Sequence, residues 1–116
     1  MTQLSEAKAI LRNIHALKER RYVGDTNASD TLVDFAIAVE RASLTARQAE
    51  ALRLVYVEDL TQKSAGERMG IGQDVVSAHI DAAITKIDAI YEYIAWHNGE
   101  LTEEDFNDED NTPISA

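Results

Sequence analysis

Leu60-Thr61-Gln62-Lys63-Ser64-Ala65-Gly66-Glu67-Arg68-Met69-Gly70-Ile71-Gly72-Gln73-Asp74-Val75-Val76-Ser77-Ala78-His79-Ile80 has the pattern of two helices packed across a tight turn. Thr61 stands where a side-chain oxygen caps a short helix over about Gln62 to Met69. Gly70 stops that helix by supplying a left-handed residue. Gly66, four positions before the turn glycine, falls where the helices touch and a larger side chain would push them apart. Met69, Ile71, Val76 and Ile80 supply the apolar contacts that hold the second helix across the first. Cap, small residue, turn glycine and apolar set share one register, that of a helix-turn-helix.

The flanking sequence extends this unit on both sides. Upstream, Thr45-Ala46-Arg47-Gln48 is a capping box, in which Thr45 accepts from the third residue's N–H while Gln48 reaches back. It opens a helix through about Val57, with Ala49, Leu52, Val55 and Tyr56 inward. A helix over about Ser29 to Ala42 buries Leu32, Phe35, Ala36 and Val39. The first segment, about Thr2 to Tyr22, sets Leu4, Ala7, Leu11, Ile14 and Leu17 on one stripe, with Lys8, Arg12, Lys18 and Glu19 largely away from it. Gly24-Asp25-Thr26-Asn27 ends that amphipathic helix in a turn.

Downstream, a helix starts near Gln73 and meets no breaker until Asn98-Gly99, a length of ~25 residues or ~37 Å. Its stripe, Ile80, Ile84, Ile87, Tyr91 and Ile94, is spaced 4-3-4-3 like the seam of a paired helix, with Ile90 and Trp96 beside it. Two readings of the stripe stand: it packs on the chain's own first helix, or it forms a homodimer seam. With sustained strand-type alternation missing, the expected fold is all-α, a bundle of about five helices with a long last one. The expected division is an amphipathic helix over 1–24, a helix-turn-helix domain over 29–98 and a disordered acidic tail over 99–116.

Composition narrows the chemistry. At 116 residues the chain can bury a core without disulfide or metal support. It has no cysteine, and His15, His79 and His97 lack metal-ligand spacing, so no metal and no cofactor is expected. No apolar run is long enough to span a membrane. Met1 to Ala16 alternates polar with apolar residues, unlike a secretion signal, which makes the cytoplasm the expected location. The net charge of −10 is unevenly spread: residues 99–116 hold 7 acids and no base, which leaves the body at −3. A mildly acidic body neither advertises nor forbids phosphate contact, which depends on where Lys and Arg sit.

The stretch Leu44-Thr45-Ala46-Arg47-Gln48, continuing through Leu52, Leu54, Tyr56 and Glu58-Asp59-Leu60-Thr61-Gln62, resembles region 4 of bacterial sigma factors and their phage-encoded relatives. That family reads close to L-T-x-R-Q-x-x-x-L-x-L-x-Y-x-E-D-L-T-Q before its helix-turn-helix, and the likeness covers about residues 32–90. The resemblance implies a small, region-4-only regulator of phage or prophage type rather than a full sigma factor. It implies binding of double-stranded DNA by the last helix in the major groove, and contact with RNA polymerase. By position, Gln73, Asp74, Ser77, Ala78 and Asp81 would face the bases, with Thr61, Lys63 and Arg68 near the phosphate backbone. The chain departs from the family at Ala78, where a basic or amide residue is usual, and at Asp81, where another base is frequent. Gln73 retains the chemistry to read adenine and Ser77 to read either edge. Asp74 and Asp81 approach phosphates at a cost on the order of 1 kcal/mol each.

Other signals carry less. Asp105 to Glu109 has a faint calcium-loop flavour but lacks the sixth-position glycine and the twelfth-position glutamate. Ser64 and Ser77 have no neighbouring base to activate them, and Glu58 with Asp59 reads as a capping and surface pair, so no catalytic residue is expected. Tyr56 reads as core, and His79 as a packing or phosphate contact. Two further functions fit the same pattern: a small terminase subunit of phage DNA packaging, ring-forming on a helical stalk, and a polymerase-binding sigma mimic with little DNA contact.

Overall fold

The computed structural model describes residues 5–96. Among these the chain forms six α-helices: α1 (Glu6–Arg12), α2 (Ile14–Tyr22), α3 (Thr26–Ala42), α4 (Ala46–Leu52), α5 (Gln62–Met69) and α6 (Gln73–Trp96). A π-helical turn, Arg53–Val57, continues α4, and no strand occurs among the described residues. The fold is all-α, as expected. Leu4, the side chain of Trp96 and the acidic tail with its calcium-like stretch lie outside the described residues.

Several expectations differ from the structure. The first segment is two helices rather than one, because Asn13 leaves the helical region (φ −109, ψ 17). Its side-chain amide donates to the Ala9 carbonyl at 2.9 Å, and its N–H to Ile10 at 3.1 Å. Asparagine thereby offers the backbone an alternative to the next α-turn. The helix from Thr45 does not stay α to Val57. Leu54 is buried, and Val55 and Tyr56 pack half-buried on the core. Three consecutive residues sweep about 200° of an α-helix at 3.6 per turn, too wide an arc to face one core. The widened turn, with Glu58 N–H donating to the Arg53 carbonyl at 2.9 Å, brings all three inward. Finally, Ala36 and Ala49 are exposed, and Ala38 and Ala51 are the small residues buried instead.

The helix starts are written in side chains. Asp25 caps α3, accepting from the Ala28 N–H at 3.2 Å, so that helix opens at Thr26 rather than at Ser29. The capping box at Thr45 and Gln48 forms in full. Ser5 caps α1 and also donates to Asp88 on α6 at 2.6 Å, while the other Asp88 oxygen accepts from Ala7 N–H at 2.9 Å. One α6 carboxylate thus satisfies the positive end of α1 and fixes the two helices together.

The core is one cluster that every helix joins. Helix α6 packs against α1, α3, α4 and α5, with Val76, Ile87 and Ile90 fully buried and Ile80 nearly so. Ile84, Tyr91 and Ile94 pack against the same cluster, so all five residues of the stripe lie against the chain's own core. The Tyr91 hydroxyl is buried without a partner among the described residues. Burial first, then the nearby Asp34, Glu6 and Asp88 charges, pushes its pKa far above the ordinary tyrosine value, so it stays protonated. Although α6 is long, no helix among the described residues is long and apolar enough to cross a membrane.

Burying a side chain such as Ile87 contributes about 1.5–3 kcal/mol, and a carboxylate there costs several more because it has no buried cation to pair with. Against the roughly 5–15 kcal/mol that holds a domain together, Ile87→Asp should unfold the chain at every protein concentration. Circular dichroism with sedimentation checks this; a variant that keeps its helical signal as a monomer would place the stripe outside the essential core.

Candidate functional site

The helix-turn-helix is built by α5, the turn 70–72 and the first turns of α6. Thr61 caps α5, accepting from the Ser64 N–H at 3.0 Å. At the other end Gly70 takes the left-handed conformation (φ 74), with Ile71 N–H donating to the Gly66 carbonyl at 2.9 Å and Gly70 N–H to Glu67 at 3.4 Å. This is a Schellman-type stop. Gly66 is tight: a Cβ there would meet the Ile71 carbonyl oxygen at 2.7 Å and Val76 Cγ2 at 3.4 Å. Turn backbone and second helix both press on the missing side chain, which is the reason for glycine that the spacing predicted.

Two polar clamps lock this unit to α4. Arg47 donates to the Met69 carbonyl at 2.8 Å, satisfying one of the orphan acceptors at the end of α5, and also pairs with Glu50 at 3.0 Å. The Gln48 carboxamide oxygen accepts from Thr45 N–H at 3.1 Å and from Lys86 Nζ at 3.0 Å, joining the α4 cap to α6. Sequence reading found the capping box but neither clamp. Arg47 is 22 residues from its acceptor and Lys86 is 38 from Gln48, and no local pattern links such pairs.

The predicted base-facing residues fall on one side of α6. Gln73, Asp74, Ala78 and Asp81 are exposed and Ser77 is half-buried, while Val76, Ile80 and Ala83 turn into the core. Asp74 bends back over the helix start: a methyl group at Gly72 would come within 2.7 Å of its Oδ1. A carboxylate in the first turn meets the positive end of the helix dipole, so Asp74 has a structural role as well as a place on the face. His79 is half-buried on the adjoining flank.

The predicted backbone contacts divide. Thr61 and Lys63 are exposed at the start of α5. Arg68 is exposed too, but its guanidinium lies 3.9 Å from Glu58, which also pairs with Arg53. Asp59, left-handed at φ 61, meets His15 of α2 at 3.2 Å. The Glu58–Asp59 pair therefore ties the loop before α5 to its neighbours on both sides.

Residues 42–88 match the family model of sigma-70, region 4. The match begins at the last residue of α3 and ends two-thirds of the way along α6, leaving α1 and α2 outside it. Neither a curated protein nor a solved structure matches the chain. Residues 42–88 are similar to sigma-70 region 4 and form a sigma region 4-like helix-turn-helix.

The tight fit at Gly66 is testable on its own. In an open helix, alanine would gain about 1 kcal/mol over glycine. At Gly66 the clash with backbone should reverse the sign and cost about 1–3 kcal/mol. A thermal melt of Gly66→Ala reads the difference; a raised midpoint would mean the turn yields.

Proposed function

We propose that this chain is a sequence-specific, DNA-binding transcriptional regulator that reads the major groove with the first turns of α6 and rests α5 on the phosphate backbone. The exposed α6 face beside the glycine turn, within residues 42–88, carries the reading. Such a unit lays the N-terminal residues of its second helix along base edges while the first helix crosses the backbone. Gln73 offers bidentate chemistry for adenine, and Ser77 a hydroxyl that both donates and accepts. Ala78 leaves room for a thymine methyl. Thr61 and Lys63, at the open start of α5, are the phosphate contacts, with Arg68 shared between DNA and Glu58. The proposal includes a phage or prophage source, action in the cytoplasm, and host RNA polymerase as a second partner.

One observation favours a second reading. Asp74 and Asp81 put two carboxylates and no cation on the α6 face, a surface that also suits a basic patch on a protein. In that case the chain is a polymerase-binding sigma mimic, and capture by RNA polymerase would survive changes that abolish DNA binding.

Titration across a panel of duplexes separates the two. Lys63→Ala should weaken binding on every sequence and reduce the slope of log affinity against log salt by about 1. Gln73→Ala should instead relax preference at one base pair, worth about 1–3 kcal/mol. Equal, sequence-blind losses for both variants would remove direct readout from the proposal.

A further inference from the structure

The positive charge free to meet phosphate lies mostly outside the helix-turn-helix. Within residues 42–96, Arg47, Arg53 and Arg68 are each paired with a glutamate and Lys86 is bound to Gln48. Lys63 is the one cation of that stretch with no such partner among the described residues. Residues 5–24 carry five Lys/Arg against two acids, whereas residues 25–96 carry six against twelve. All five bases of α1 and α2, Lys8, Arg12, Lys18, Arg20 and Arg21, are exposed, and none is in an ion pair among the described residues. The chain is electrically polarised, with its basic pole on a pair of helices that the region 4 match does not reach.

That pole adjoins the site. Helix α2 packs on the π turn, and His15 near its start touches Asp59, two residues before the Thr61 cap of α5. From there α2 runs on for about 10 Å at 1.5 Å per residue. One strand of duplex carries a phosphate per ~3.4 Å of axis, so a helix of that length spans several. We propose that the exposed bases of α1 and α2 form a second phosphate-binding surface that seats on the duplex backbone beside the major-groove contact. It supplies the sequence-independent attraction that the acidic α6 face lacks. The inference rests on the DNA-binding reading above and adds a surface to it.

The test is salt-dependent binding of the full-length chain to a target duplex and to unrelated duplexes. The triple change Lys18→Gln, Arg20→Gln, Arg21→Gln lies on exposed positions and should leave the circular dichroism spectrum intact. With about 0.9 of slope per phosphate contact, it should reduce the slope by 2–3, on the order of a tenfold or greater loss near 0.1 M salt. The loss should be the same factor on every duplex, and Lys18→Arg, Arg20→Lys, Arg21→Lys should behave as wild type. An unchanged slope, or a loss confined to the target, overturns the inference, while a Lys63→Ala effect in the same assay leaves the helix-turn-helix reading standing. No binding by the wild-type chain to any duplex at 50 mM salt overturns both. A last arm repeats the triple change in a chain whose acids in residues 99–116 are amides. If the slope effect vanishes there, these bases serve the chain's own tail instead, and the inference fails.

Discussion

Burial of one stripe along α6 is the constraint on which the other helices depend. Val76, Ile80, Ala83, Ile87 and Ile90 are buried along its length, and α1, α3, α4 and α5 each cover part of that line. Isolated helices as short as α1, α4 and α5 do not persist in water, so each exists because α6 gives it an apolar surface to cover. The same helix begins as the second arm of the helix-turn-helix. Its first turns therefore hold an exposed polar face at an orientation set by a core four further turns long.

Directional contacts then convert an apolar bundle into one arrangement. Asp88 holds the start of α1, Lys86 the cap of α4, and Arg47 the end of α5. Each uses a side chain from one helix to satisfy backbone or cap groups of another, at positions where an α-helix leaves donors and acceptors unpaired. Apolar packing alone tolerates sliding between helices; a bond to a particular terminus does not. These three contacts fix the height of α1, α4 and α5 along or beside α6, and with it the angle at which α5 and α6 meet.

What the sequence disclosed follows from which features are local. Gly66, Gly70, the Thr61 cap and the Thr45–Gln48 box act within a few residues of themselves, and each was readable where it stands. The stripe of α6 was readable as period, though period alone could not say what covered it. The break at Asn13 was not, because asparagine is compatible with a polar face until its side chain is seen bonding back to Ala9. Nor was the π turn, since one extra residue in a turn leaves an apolar run such as Leu54-Val55-Tyr56 looking like any helix interior. The pairing of Arg53 and Arg68 with Glu58 depends on the fold, and only the fold shows it.

Affinity and specificity for DNA make different demands on charge, and the proposed site separates them. Reading a base edge needs a donor or acceptor in the groove, and one good bidentate contact discriminates by about 1–3 kcal/mol whatever the net charge of its helix. Each exposed carboxylate on that helix opposes binding by about 1 kcal/mol in high dielectric, and Asp74 offsets part of this by lying against the positive end of α6. Specificity can therefore persist on an acidic helix. Bulk attraction cannot, because it scales with the number of phosphates neutralised, and the helix-turn-helix holds few cations that are not already paired. On the proposed reading, affinity would come from charge beside the α6 face, on the helices that pack next to it.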